Sequence, residues 1–399
     1  MLAGSPLLLA ETAAAIERCG AEVALVNLGL QDSQFPLPAG KGFRTIPPEE
    51  SFAFASQADL VIANTAVTKT WVNALLALCP DAGRKIIWWI HEIDTALYSE
   101  GMECLQQVAA VAFDSHSSCG QWRQTGLPMP STCKVIHPCV HDGFLNEAIR
   151  LRRASWWASL RRRIFGGAQG SAREEMRAQL GVRNEDFLVT LVGQYCPHKG
   201  HDLLVKTIGQ MLAASPGLRL KLLLVGFQKD STRRYFLERL SEVERAAVGT
   251  ERAIICVADL KPYYLASDAF VMNTQQPGEP FGRVTIEAMA FRLPILGTRL
   301  GGTSEIVIEG VTGLLHPADE EGQTQLAENI RELMNNRRKA RALGAAGFKR
   351  VRVAFREERF YRDLAGTLKG VLEQARAKTA SWTKRDRDPA NSSLSTSDQ

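Results

Sequence analysis

Two carboxylates, Glu279 and Glu287, stand eight positions apart in the stretch EPFGRVTIE, with Gly282 between them and a helix-like run, VTIEAMAF, over the second. A helix starting near Gly282 leaves the amides of Gly282, Arg283 and Val284 without acceptors inside the helix. With the helix dipole they form an anion site. The pair Phe281-Gly282 lets a backbone come close, because glycine has no Cβ. Upstream, LVGQYCPHKG places Gly193, Gln194 and Lys199 just past an apolar run, where a flexible ammonium suits a diphosphate. A carboxylate beside such a cradle is useful only when aimed at hydroxyls, as an acceptor. The combination reads as a site for a nucleotide-sugar, one acid on the ribose and one on the transferred sugar. The plain alternative is two solvated acids, since helix starts favour acids anyway.

The elements that must position these groups recur along the chain. Strand candidates in the first half are 21–28, 58–65, 85–92, 110–116 and 133–138; in the second half they are 187–193, 220–226, 253–259, 269–274, 293–298 and 312–316. Their continuous Val/Ile/Leu runs suit parallel strands covered on both faces, and helical patterns lie between them. Two such series imply two Rossmann-like, doubly wound domains. The expected divisions are an acceptor-side domain at 1–150, a basic tryptophan-containing linker at 151–186, a nucleotide-sugar-binding domain at 187–355, a helix at 356–376 that crosses back to the first domain, and a disordered tail at 377–399. A doubly wound domain normally opens on a strand, whereas this sequence opens on the turn Ala3-Gly4-Ser5-Pro6. A missing first strand is therefore expected, as a late start site or a truncated gene model would leave it.

The 399 residues are 45% hydrophobic and 23% charged, with a formal net charge of +5. That is a globular composition with no demand for nucleic acid. Eight scattered cysteines without a CxxC pair read as reduced, buried thiols. No apolar run reaches the ~18–20 residues of a membrane span, and the start lacks a signal-peptide pattern. A cytoplasmic enzyme is expected, with an N-terminal anchor lost by truncation left open. The stretch LRRASWWASLRRRIF (151–165) reads either as a linker helix whose tryptophans pack on the domains or as an interfacial helix touching an anionic membrane. The spacings of His198 with His201 and of His137 with His141 could suit zinc, but no third ligand is near in sequence, so structural roles are expected and no metal site is assigned. Asn391-Ser392-Ser393 is a formal sequon in the tail.

The segment Glu279-PFGRVTI-Glu287, followed by AMAFRLPILGT, GGTSEIV and EGVTGLLHP, resembles the signature of retaining glycosyltransferases of the GT-B fold, family 4. KIIWWIHE and PFGRVTIEAMAFRLPILGT are similar to a plant-type subgroup. The likeness is strong over 187–320 and weaker over 1–140. It implies an α/β fold of two Rossmann-like parallel-sheet domains facing a cleft, and a metal-independent retaining hexosyltransferase. No cofactor is implied; a UDP- or GDP-sugar is the co-substrate, and a carbohydrate, lipid or small molecule is the acceptor. Residue by residue, the resemblance puts Glu279 near the C3 hydroxyl of the donor sugar and Glu287 on the ribose. Lys199 matches the lysine on the diphosphate, and His91 matches a histidine facing the donor sugar. Gly4 and Ser5 match a glycine turn near the donor phosphate or acceptor, and base contacts fall near Val257 to Leu260. Gln194 stands where the family has an arginine, with Arg283 as a compensating cation. An inactive sugar-nucleotide-binding scaffold and a nucleotide-sugar epimerase are the rival readings.

Overall fold

The computed structural model describes residues 4–26, 28, 44–165, 170–226, 236–238, 240–242, 245, 254–255 and 259–385. The chain divides into two compact units. One comprises Ser5–Phe113, Trp122–Ile136 and the chain from Tyr361; the other comprises Asp114–Gln121 and His137–Phe360.

The first unit carries a two-stranded parallel sheet of β1 (Ala24–Val26) and β2 (Arg44–Ile46) and a four-stranded parallel sheet. The latter runs in the order β3 (Val61–Asn64), β4 (Ile86–Ile90), β5 (Ala110–Phe113) and β6 (Cys133–Val135). All five residues of β4, IIWWI, are buried, as a strand covered on both faces must be. Helices α1 (Gly4–Arg18), α2 (Ser51–Gln57), α3 (Lys69–Leu78) and α4 (Thr95–Tyr98) belong to this unit. The first helix begins at Gly4. Gly4 and Ser5 are therefore its opening residues rather than a turn ahead of it. The long helix Glu357–Arg385 runs beyond 376 into the segment expected to be disordered. In this unit the Arg18 guanidinium donates to the Tyr361 hydroxyl and lies 5.0 Å from that ring's centroid. The sequon and the rest of the tail lie outside the described residues.

The second unit is built on a six-stranded parallel sheet. Its strands are β7 (Phe187–Val192), β8 (Leu220–Val225), β9 (Ile254–Ile255), β10 (Ala269–Met272), β11 (Ile295–Thr298) and β12 (Gly313–His316). Their spatial order is β12-β11-β10-β7-β8-β9. The chain builds outward from β7 through β9, then returns to the other side of β7 and builds outward again through β12. The order reverses between β7 and β10, and such a reversal opens a crevice at the strands' carboxyl ends. Every residue of β7, β10, β11 and β12 is buried. On one side of the sheet, Phe187, Val189, Leu191, Leu222 and Leu224 pack with Leu204, Val205 and Ile208 of α8 (His201–Ala214). On the other side, Leu188, Phe270 and Ile295 pack with Ile286, Met289 and Phe348. Full burial of each such side chain contributes roughly 1.5–3 kcal/mol.

Residues 151–165 form the second half of α6 (Asp142–Phe165), and α7 (Ala172–Gln179) follows. Ser171 opens α7 with a reciprocal cap: Ser171 Oγ accepts from the Glu174 amide, and the Glu174 carboxylate accepts from the Ser171 amide. From α7 the buried Arg177 donates to the carbonyls of Ala266, Arg183 and Asp186 and to Asp268 Oδ2. One guanidinium thus pins the amino-terminal end of the sheet. Trp156 and Trp157 are each 58% exposed and meet edge to face. Of the two readings of this stretch, burial of both tryptophans against the domains is not what α6 shows: each indole is more than half exposed. Among the described cysteines none forms a disulfide; Cys104, Cys119 and Cys139 are buried, while Cys19 is exposed.

Candidate active site

Lys199 follows β7 and Glu279 follows β10, so the two flank the strand-order reversal. The Lys199 ammonium donates to Glu279 Oε2. Both side chains are mostly buried, 21% and 16% exposed. The pair is mostly sheltered from water and weakly screened by salt.

Local sequence explains how each is held. Pro197–Lys199 is one 3₁₀ turn, which ends at Gly200 in the left-handed region, φ 67°. A Cβ on Gly200 would lie 2.1 Å from the Asn273 carbonyl oxygen, so only glycine allows this approach. Asn273, buried at the end of β10, donates to the Gly200 carbonyl at 3.0 Å. Its Oδ1 meets His316 Nε2 at 3.1 Å and Gln323 Nε2 at 3.3 Å. The turn that carries Lys199 is therefore tied, through Asn273, to the end of β10, to β12 and to the helix Glu320–Asn335. Burial, with Lys199 nearby, pushes the His201 imidazole down to about 3; burial, with Arg299 nearby, pushes His316 down to about 4. Both rings are neutral at physiological pH, as structural histidines are.

Glu279 lies in the loop between β10 and the helix Arg283–Ala290. Gly302 donates its amide to the Glu279 carbonyl at 2.8 Å, and a Cβ on Gly302 would meet Phe281 Cα at 2.4 Å. The close approach made by Gly301 and Gly302 is to this loop. Gly282 caps the helix from the left-handed region, φ 95°, and no side chain caps it. Helix geometry leaves the first amides open for a ligand. The Phe281 ring turns into the core, 5.5 Å from His137 and 5.6 Å from Phe355, and anchors the turn. Glu287 lies one turn inside the helix and accepts from the Tyr264 hydroxyl at 3.1 Å. Burial, with Glu287 second, raises that phenol well above its ordinary value. Gly193 and Gln194 follow β7 directly, and the Gly193 amide donates to Val225.

In the other unit His91 stands at the end of β4. Its Nε2 is 2.8 Å from Asn64 Oδ1, and its ring stacks on Trp89 at 5.5 Å. Glu92 accepts from the amides of Ala66 and His91, yet burial dominates and raises its carboxyl above the usual range. Of the sequence-assigned residues, Lys199, Glu279, Gly282, Arg283, Val284, Glu287, Gly193 and Gln194 share one unit at strand ends and one helix start. Leu260 is described, while Val257 lies outside the described residues.

Sequence reasoning missed three residues. Asn273 and Tyr264 orient the site from AFVMNT and KPYYLA, and only their burial marks them. Glu305, from GGTSEIV, accepts from the amides of His116 and Ser117 and from His137 Nε2 at 3.1 Å. Burial alone would raise this carboxyl, but the bonds from His137 and the two amides outweigh it and hold it low. His116, His137 and Glu305 offer ligand atoms within 4.8 Å of one another, so a third group does join His137. Glu305's oxygens are already engaged as a cap at the start of α5 (His116–Gln124).

Two Rossmann-like units of parallel sheet, with acids and a lysine at a switch point, define a GT-B glycosyltransferase. Residues 172–350 match the model of glycosyl transferases group 1, and 1–141 match glycosyl-transferase family 4. The spore coat protein SA of Bacillus subtilis is 30% identical over 291 residues, 69% of each chain. The chain belongs to this family. Among solved structures it is similar to HepE of Anabaena, in complex with UDP and glucose (TM-score 0.70, 20% identity, 92% of this chain and 96% of that one). It is also similar to sucrose-phosphate synthase of Thermosynechococcus elongatus (TM-score 0.67, 21% identity, 93% and 94%). Among the described residues no helix is long and apolar enough to cross a membrane.

Proposed function

We propose that the protein is a retaining hexosyltransferase that moves a sugar from a UDP- or GDP-sugar to a carbohydrate, lipid or small-molecule acceptor without a metal ion. The observation that carries this reading is the Lys199–Glu279 pair flanking the β7/β10 reversal. Lys199 and the amides opening the helix at Arg283 would take up charge on the departing diphosphate, which a preorganised, dry site does better than water. Glu279 would accept from a donor-sugar hydroxyl, and Glu287, oriented by Tyr264, from the ribose. Arg283 supplies a cation that Gln194 lacks. A UDP donor is favoured by HepE, which was solved with UDP and glucose. His91 would act on the donor sugar; the Asn64 bond fixes its ring. The same WWIHE segment supports placement in the plant-type subgroup. Departure and attack on one face of the sugar would keep the anomeric configuration.

The test is turnover of a UDP-sugar with an acceptor panel in the presence of a chelator, with proton NMR of the product's anomeric signal. An α-linked product from an α-donor, formed at an undiminished rate with chelator, is expected. An inverted product overturns retention, and loss with chelator overturns metal independence.

A further inference from the structure

The amino-terminal end of the six-stranded sheet holds a cavity of about 510 Å³ at the starts of β7, β10 and β11, lined there by Phe187, Asp268 and Pro294. It lies a strand's length, roughly 20 Å for the six residues of β7, from Lys199 and Glu279. Five arginines from four elements line it: Arg152 of α6, Arg173 of α7, Arg292 after the helix Arg283–Ala290, and Arg337 and Arg341 of the helix Arg337–Ala354. The one carboxylate in the lining is Asp268. It is already shared among Arg173 at 2.8 Å, Arg177 at 3.0 Å and Arg337 at 3.5 Å. No ion pair among the described residues neutralises Arg152, Arg292 or Arg341. Arg152 donates to the Phe291 carbonyl, and Arg292 lies 4.6 Å from the centroid of Phe348. Burial, with Arg173 and Arg292 adding repulsion, pushes the Arg152 guanidinium down to about 10.

Arg152 is the sheltered member of the three, while Arg292 and Arg341 stand exposed at the mouth; an anion between them would offset their mutual repulsion and the cost of sheltering Arg152. A second observation points the same way. Ser155 in the lining is 7% exposed, and its hydroxyl has no hydrogen-bond partner. Trp156, 58% exposed, adds an indole face and an N–H donor to the lining. The volume is that of a small-ligand site.

We propose that this cavity is a second binding site, for a phosphate-bearing ligand whose phosphate is held by Arg152, Arg292, Arg341 and the Ser155 hydroxyl. Planar guanidinium forks suit phosphate oxygens. The phosphate is carried either by a soluble metabolite or by a lipid headgroup. The site is separate from the donor site and does not depend on how that site is read.

Calorimetric titration of the full chain with inorganic pyrophosphate tests it, comparing wild type, Arg341→Glu, Ser155→Ala and Lys199→Ala. Arg341 is exposed, so Arg341→Glu should melt as wild type does. Arg341→Glu should weaken binding at least ~10-fold and Ser155→Ala severalfold, each replacing one phosphate contact. Lys199→Ala should leave an Arg341-dependent uptake in place, which separates this site from the donor site. Sedimentation with phosphatidylcholine vesicles, with and without phosphatidic acid, separates the sources. Arg341-dependent capture by the acidic vesicles supports a headgroup, and pyrophosphate binding without capture supports a soluble phosphate. Absence of any Arg341-dependent binding to either probe overturns the proposal, as does pyrophosphate uptake abolished by Lys199→Ala alone.

Discussion

The amide of Gly302 donates to the carbonyl of Glu279 at 2.8 Å, which links the turn after β11 to the loop after β10. The contact exists because Gly302 has no Cβ; one added there would sit 2.4 Å from Phe281 Cα and 2.7 Å from the Pro280 carbonyl oxygen. Gly302→Ala must displace the Glu279 loop, at a cost of about 1–3 kcal/mol. Urea melts should show that loss, together with a raised KM for the sugar nucleotide. Gly143→Ala, in a helix with nothing within 4 Å, should be neutral or stabilising. Equal melts for the two variants would show that the close packing is not needed.

Two buried histidines set an acid limit. His201 and His316 titrate at about 3 and about 4 in the folded chain, held there by burial. Unfolded histidine titrates near 6.5. The folded values are the lower ones, so the unfolded chain takes up protons first. The stability from neutral rings is complete above pH ~6.5 and falls as pH drops towards the folded values. Each ring should cost about 1.4 kcal/mol per pH unit in that window. His316→Gln removes one titration and can keep a bond to Asn273. Its stability should fall less steeply with acid than wild type's, and an identical slope would refute the linkage.

Exposed tryptophans on α6 carry the expectation of membrane contact. Trp156→Ser with Trp157→Ser should lower sedimentation with anionic vesicles severalfold while leaving the melting temperature unchanged, since neither indole is in the core. Undiminished sedimentation would remove α6 from any membrane contact.

Strands were the most legible feature. KIIWWIHE, FLVTLVG and LKLLLVG each contain a parallel strand with a mostly buried surface, because continuous short apolar runs suit strands covered on both faces. Strand β2 escaped notice because RTI is three residues long with two of them exposed. The Glu279–Glu287 spacing pointed to the site, but the ion pair of Lys199 with Glu279 joins residues 80 positions apart and depends on strand order, which local pattern does not encode. The His137–Glu305 contact spans 168 positions, and no ligand spacing foretells it. Gly4 and Ser5 read as a turn because glycine and proline commonly break helices, yet proline is tolerated in a helix's first turn.

The central claim is that Lys199 and Glu279 hold the diphosphate and sugar of a nucleotide-sugar at the β7/β10 reversal. Its most direct measurement is the melting temperature of wild type, Lys199→Ala and Glu279→Gln with a panel of UDP-, GDP- and ADP-sugars. One sugar nucleotide should stabilise wild type, by about 2.7 kcal/mol at a hundredfold excess over its Kd. Lys199→Ala should lose most of that shift, and Glu279→Gln should weaken binding about 10- to 100-fold through the charged hydrogen bond it gives up. A full shift in both variants, or none in wild type with any donor, would contradict the account.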